Sequence, residues 1–418
     1  MSVAAPNTIT KTWNTTTPIE GMLLQFPGRV FINQNPSLKA AARVVVTSNS
    51  QAVVDLFGFN ATRAVGDSIN VGCNQRFAIN SANQTYLDVS VTTGVDVHAA
   101  GSLLVLVTVQ KPLSWVKSTA DTVVVSGALV NGVTKVVSLT ALGAGNITTT
   151  AKYPVTLSNL TLAATGTGKV HYSASTTFNT TSGVSLVISG PGIVALDSYR
   201  TLTIPNLRTT VTGSGSVYVT TNGTLTAQDI RTYLFGNGNV SYYPSQGTTV
   251  NNTVNLFKSG HVYTGSILSQ NATVAVSGAG GVVVQVNDTL ATSINGAGVV
   301  SYFNKTVNPA HLPKPKGWWV FSSPSAVATS DNTFSVIKDT PEPTKVALNV
   351  TIDLYRSWTS RCFTQRFQTS AETTSLSSLF SPTEDVESMA AVAFALVALV
   401  VLAIFKAKKR TGYTALPK

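Results

Sequence analysis

GSGSVYV, residues 213–219, holds two glycines one residue apart, followed by alternating polar and apolar side chains. The same shape recurs as GAGNITT from Gly143, GTGKVHY from Gly166, GPGIVAL from Gly190, GNGNVSY from Gly236, GAGGVVV from Gly278 and GAGVVSY from Gly296. A degenerate copy, KSGHVYT, places Lys258 in the first glycine slot. Starts at 143, 166, 190, 213, 236, 258, 278 and 296 give spacings of 23, 24, 23, 23, 22, 20 and 18 residues. Even spacing in this range is the signature of a repeat architecture.

The units share an apolar frame. Four residues past the first slot stand Ile147, Val170, Val194, Val217, Val240, Val262, Val282 and Val300. Two residues before it stand Ala141, Ala164, Ile188, Val211, Leu234, Leu256, Val276 and Ile294. Period-two alternation on both sides of a glycine corner reads as strand, turn, strand, with one row facing inward. A single unit cannot bury that row; stacked units make one continuous core. The pattern therefore predicts an all-β chain whose residues 136–305 form a parallel β-solenoid (β-helix) of coils of about 22–23 residues. The corner glycines answer a need for positive φ, or a lack of room for a Cβ between coils. Hairpin turns in an antiparallel sandwich would give the same local pattern. A phosphate cradle would need G-x-G-x-x-G opening a helix, and no helical pattern follows any copy.

Around the repeat, residues 1–135 read as β-rich without the clean period. NPAHLPKPKG, residues 308–317, is a proline-rich break that opens a segment 306–365 with closing strands. Residues 366–388 are rich in Ser and Thr and read as a flexible stalk. MAAVAFALVALVVLAIF, residues 389–405, is an uncharged apolar run of 17 residues, at the short end of the ~17–25 that span a bilayer. Lys406, Lys408, Lys409 and Arg410 follow it and put the tail 406–418 in the cytoplasm. The tail carries five positive charges and no acid, so the rest of the chain has a net charge of 11 − 5 = +6. No concentrated basic stripe with interleaved aromatics supports nucleic-acid binding.

An extracellular or lumenal body agrees with thirteen N-x-[ST] sequons, at Asn14, Asn60, Asn83, Asn146, Asn159, Asn179, Asn222, Asn239, Asn251, Asn271, Asn287, Asn304 and Asn349. In such a compartment the two cysteines, Cys73 and Cys362, either pair as one disulfide or stay as buried thiols. The opening MSVAAPNTITKTW shows no apolar signal region. That keeps a tail-anchored chain with a cytosolic body as the competing topology.

Catalytic chemistry finds little to stand on. From Gly143 to Asn304 the only acids are Asp197, Asp229 and Asp288, and no two share a repeat phase. His98, His171, His261 and His311 lack metal-ligand spacing, and the two within the repeat read as exposed wall residues. No catalytic residue, metal or cofactor is expected. Arg208 and Arg231 lie 23 apart and should stack on adjacent coils, either as a solvated face or as a ladder for an anionic glycan.

The serial G-x-G-x-[VI] units, as in VTGSGSVYV and ISGPGIVAL, resemble the head-GIN adhesin-like domain family over about residues 119–304, with TADTVVVSGALV as the lead-in strand. The resemblance implies a β-solenoid and a loosely defined adhesive or surface role, without catalytic residues. The expected protein is a single-pass (type I) membrane glycoprotein of the cell surface or of an endolysosomal membrane, meeting a glycan or a surface protein. A membrane-tethered polysaccharide-acting enzyme and a lumenal coat glycoprotein are the alternatives. In the tail, Tyr413 and Leu416 fit the Y-x-x-Φ pattern that clathrin adaptors read by strand addition.

Overall fold

The computed structural model describes residues 8–63, 68–71, 75–78, 84–91, 97–304, 308–313, 326–337, 343–356, 363–369 and 372–375. The chain divides into two units at residue 374, and the described residues lie in the first, save Ser375. Among the described residues no helix is long and apolar enough to cross a membrane. The run 389–405, the stalk from residue 376, the tail motif and both cysteines lie outside them.

Residues 136–303 form a parallel β-solenoid. Each coil pairs a longer strand with a shorter one across the glycine corner: Val155–Gly166 with Lys169–Ala174, Phe178–Ile188 with Ile193–Ser198, Thr201–Val211 with Ser216–Thr221, and Thr224–Leu234 with Asn239–Tyr242. Long strands stack on long and short on short, all in parallel register. The predicted inward ladder runs unbroken from Ile147 through Val170, Val194, Val217, Val240, Val262 and Val282 to Val300. Each of these residues is at most 1% exposed. Burying a valine in this way contributes roughly 1.5–3 kcal/mol. Long strands lose register near their middle, between Leu157 and Asn159 and between Asn179 and Val184. That bend gives a coil three inward runs, such as Val155 and Leu157, then Leu160, Leu162 and Ala164, then Val170, Tyr172 and Ala174, all buried.

The glycine corners follow from close approach. A Cβ at Gly213 would fall within 3.0 Å of the Gly190 carbonyl oxygen, and one at Gly236 within 3.0 Å of that of Gly213. The second glycines repeat the arrangement, Gly215 against Gly192 and Gly238 against Gly215. In the first row only Gly143, Gly166, Gly190 and Gly296 also take positive φ. Lack of room between coils is therefore the common cause.

Parallel stacking continues beyond the glycine repeat. Trp115–Ser118 and Asp121–Val124 sit on the coil of Val136–Gly143 and Ile147–Ala151. Gly21–Gln25 and Arg29–Gln34 stack on them in turn. Thr85–Val91 and Val97–Val109 stack on the far side of that coil. The first coil in the sequence is thus second in the stack. Antiparallel strands then close the ladder: Ala42–Ser48 and Leu348–Arg356 on Val97–Val109, and Phe57–Arg63 on Thr85–Val91. A reversed strand ends the parallel pairing and covers an edge that would otherwise template further strands.

The strand Leu348–Arg356 reaches this end by way of a return segment. Val327–Thr329 pairs with the last coil. Asn332 Nδ2 then donates to Ser266 Oγ at 2.9 Å, and Phe334 stacks on Tyr243 with centroids 5.5 Å apart. Farther on, Arg29 donates to the Thr344 carbonyl and Lys345 lies over the Phe31 ring.

Candidate functional site

Strand alternation sends every second residue outward, so the outer walls are rows of stacked side chains. On the short-strand wall, His171 Nε2 meets Asp197 Oδ1 one coil away, and Ser173 Oγ donates to Asp197 Oδ2 at 2.7 Å. All three are half-buried. The carboxylate lies between the serine and the histidine, and in a nucleophilic triad the histidine must take the proton from the hydroxyl. This cluster ties two coils together and does not set His171 on the Ser173 hydroxyl. His98 meets Asp353 and His311 meets Asp288 in the same pairwise way. Among the described residues no three His, Cys, Asp or Glu side chains gather to hold a metal ion.

The long-strand wall differs. Arg208 and Arg231 are direct partners on adjacent strands, as their spacing predicts, and both are exposed. The Arg208 guanidinium lies 5.5 Å from the centre of the Tyr233 ring. Tyr233 runs parallel to Phe235 at 6.5 Å, and Phe235 to Phe257 at 4.7 Å with 8° between planes. Phe257 is 37% exposed. Beside this strip stands a row of Asn206, Asp229, Asn251 and Asn271. Asn251 Nδ2 donates to Asp229 Oδ1 at 3.0 Å. Sequence reading found the arginines but missed the aromatic strip. Its signal was present in the phase: Phe235 and Phe257 each precede the first glycine slot of a unit.

The interior holds polar groups as well. The Tyr242 hydroxyl bonds Thr209 Oγ1 at 2.7 Å and Thr232 Oγ1 at 2.8 Å. Burial pushes its pKa up to about 12, against the pull of those two bonds. Burial likewise raises Tyr172 and lowers Lys117 to about 8. Asp88 is pushed up to about 6 by burial, partly offset by its bond to Ser90.

The sequon asparagines fall on outward or corner positions. Asn14, Asn60, Asn222, Asn287 and Asn349 are exposed; Asn146, Asn159, Asn179, Asn239, Asn251, Asn271 and Asn304 are half-buried; Asn83 lies outside the described residues. The Asn146 amide is engaged at both ends, by Asp121 Oδ1 at 2.7 Å and the Lys169 backbone N–H at 2.9 Å.

No family model and no curated protein matches the chain. Among solved structures it is similar to a candidate adhesin from Parabacteroides distasonis, at 12% identity and a TM-score of 0.40, over 71% of this chain and 97% of that one. It is similar to candidate adhesins from Parabacteroides merdae (10% identity, TM-score 0.34, 71% and 96% covered) and Bacteroides fragilis (14%, 0.34, 72% and 98%). These likenesses carry no assignment of function.

Proposed function

We propose that the chain is a single-pass membrane glycoprotein whose solenoid is a structural or adhesive ectodomain, held at the cell surface or an endolysosomal membrane. The observation that carries this reading is the long-strand wall, where the row Asn206, Asp229, Asn251 and Asn271 repeats in register, Arg208 pairs with Arg231, and Phe235 stacks on Phe257 one coil away. A repeating wall suits an extended partner better than a small substrate. The head-GIN-like units, the apolar run 389–405 with its basic flank, and the sequons support the same reading from the sequence. The tail, with Tyr413 and Leu416, would present a sorting peptide to a clathrin adaptor.

N-glycosidase treatment of the chain from its native source tests topology first. A downward gel shift is expected, and its absence would favour the cytosolic body. The purified chain is expected to leave pectin, glucans and chitin intact; turnover that Asp197→Asn abolishes would overturn the non-enzymatic reading. Tyr413→Ala is expected to raise the surface fraction of the chain and slow its uptake.

A further inference from the structure

We propose that the strip of Arg208, Arg231, Tyr233, Phe235 and Phe257 binds an anionic polysaccharide, a sugar polymer carrying carboxylate or sulfate groups. The inference deepens the adhesive reading by naming a ligand class, and it rests on that reading for its setting. Arg208 and Arg231 are paired in register on adjacent strands. Like charges placed directly opposite each other destabilise a sheet. Among the described residues neither has an ion-pair partner. The acid on the same row pattern, Asp229, already accepts from Asn251. A bound polyanion would relieve this repulsion, and the planar guanidinium matches carboxylate and sulfate oxygens two at a time.

The aromatic half of the strip selects a sugar polymer among polyanions. Phe235 and Phe257 stack ring on ring, and the next residue in that row is Ser277, too small to cover the outer ring. A pyranose has an apolar C–H face to set against such a ring and a charged edge to set against the arginines. The strip spans three coils, with rungs ~4.8 Å apart. That favours a polymer with repeated charges over a single anion.

The test uses the full chain in nonionic detergent, passed over immobilised heparin and polygalacturonate, with dextran as the neutral control. Retention on at least one anionic polymer is expected, released by salt, with none on dextran. Arg208→Ala/Arg231→Ala should weaken retention about tenfold and flatten its salt dependence. Phe257→Ser should weaken it about threefold and leave the salt dependence unchanged. All three residues are exposed, and an unchanged melting curve certifies each variant; if the alanine pair unfolds, Arg208→Gln/Arg231→Gln replaces it. Failure to bind either polymer, retention untouched by the double variant, or stronger retention on phosphatidylserine vesicles or duplex DNA would overturn the proposal. A glycosylated surface chain that ignores both polymers sinks this inference alone. A chain that binds heparin but carries no glycan in its native source sinks the ectodomain reading alone.

Discussion

Between Trp115–Ser118 and Asp121–Val124 the chain turns on Ser118, Thr119 and Ala120, whereas one coil later it turns on Gly143, Ala144 and Gly145. The first corner is filled with hydroxyls. Thr119 Oγ1 donates to the Leu24 and Phe26 carbonyls, the Ala120 N–H donates to Ser118 Oγ at 3.0 Å, and Ser118 meets Thr122 at 2.7 Å. The second corner is emptied of carbon, because a Cβ at Gly145 would collide with the Thr119 carbonyl. A parallel ladder asks of a corner only that its backbone groups be met. Glycine is required where the preceding coil brings its carbonyl into the space a Cβ would fill. The glycine signature thus marks close approach, and the ladder extends past it in both chain and space.

The largest expected effect tests that distinction. Gly236→Val should cost about 4 kcal/mol or more, since the obstacle is backbone carbonyl oxygen and cannot rotate away. Gly127→Val, at φ +93° but with Gln34 Oε1 as its nearest neighbour at 3.5 Å, should cost about 1 kcal/mol through backbone strain alone. Urea midpoints of the two variants check this, and equal shifts would break the account of the corners.

A second comparison asks whether the regions are one ladder energetically. Leu87 in the N-terminal coils and Leu207 in the repeat are at most 1% exposed. Each substitution to Ala should cost about 3 kcal/mol by loss of burial and creation of a cavity. Both should shift a single unfolding transition followed by circular dichroism. Two separable transitions, each moved by one variant, would divide the solenoid into independent parts.

The inward valines were legible because every coil repeats them at one phase, and so was the Arg208–Arg231 pair, one period apart. The His171–Asp197 contact lies in the same phase, but the reading of His171 as an exposed wall residue passed it over, and the structure half-buries that side chain. His171 stands five residues past its glycine and Asp197 seven past the next one, which makes them diagonal neighbours on one wall. Such a pair has no metal-ligand spacing to mark it. The N-terminal coils left no comparable trace. Their corners lack the glycine pair, and the coil of Gly21–Gln25 and Arg29–Gln34 is flanked by coils that come later in the chain. The return segment was hidden for another reason: single contacts such as Phe334 on Tyr243 have no period.

The buried polar groups of the two regions give the finer tests. In the repeat, Tyr242→Phe keeps the ring and removes the hydroxyl that joins Thr209 to Thr232, both 0% exposed. Two buried hydroxyls would lose their shared partner, at a cost of about 2 kcal/mol. A second change, Thr209→Val on the Tyr242→Phe background, should recover part of that loss. If it adds a further loss of the same size, the network is not the source.

In the N-terminal coils the corresponding group is Asp88, whose Oδ1 is closed off from solvent without a hydrogen-bond partner among the described residues. Burial moves its carboxyl from the usual 3.8 up to about 6. The folded chain therefore holds this proton more tightly than the unfolded chain between those values. The stability linked to Asp88 is fully present below about pH 4 and is lost as the pH rises through 6. Lys117 has the opposite sense. Its lowered value, about 8, adds stability only as the pH climbs past 8, so measurements kept at or below pH 7 isolate the carboxyl. Asp88→Asn keeps the shape and removes the charge. It should match the parent at pH 4 and exceed it by about 1–2 kcal/mol at pH 7, allowing for partial solvent access and the Ser90 bond. Urea midpoints at pH 4, 5, 6 and 7 check the sign. A difference between the two chains that stays constant across that range would mean that Asp88 does not titrate as its surroundings demand, and that this half of the ladder holds its charge as comfortably as the repeat holds its hydroxyls.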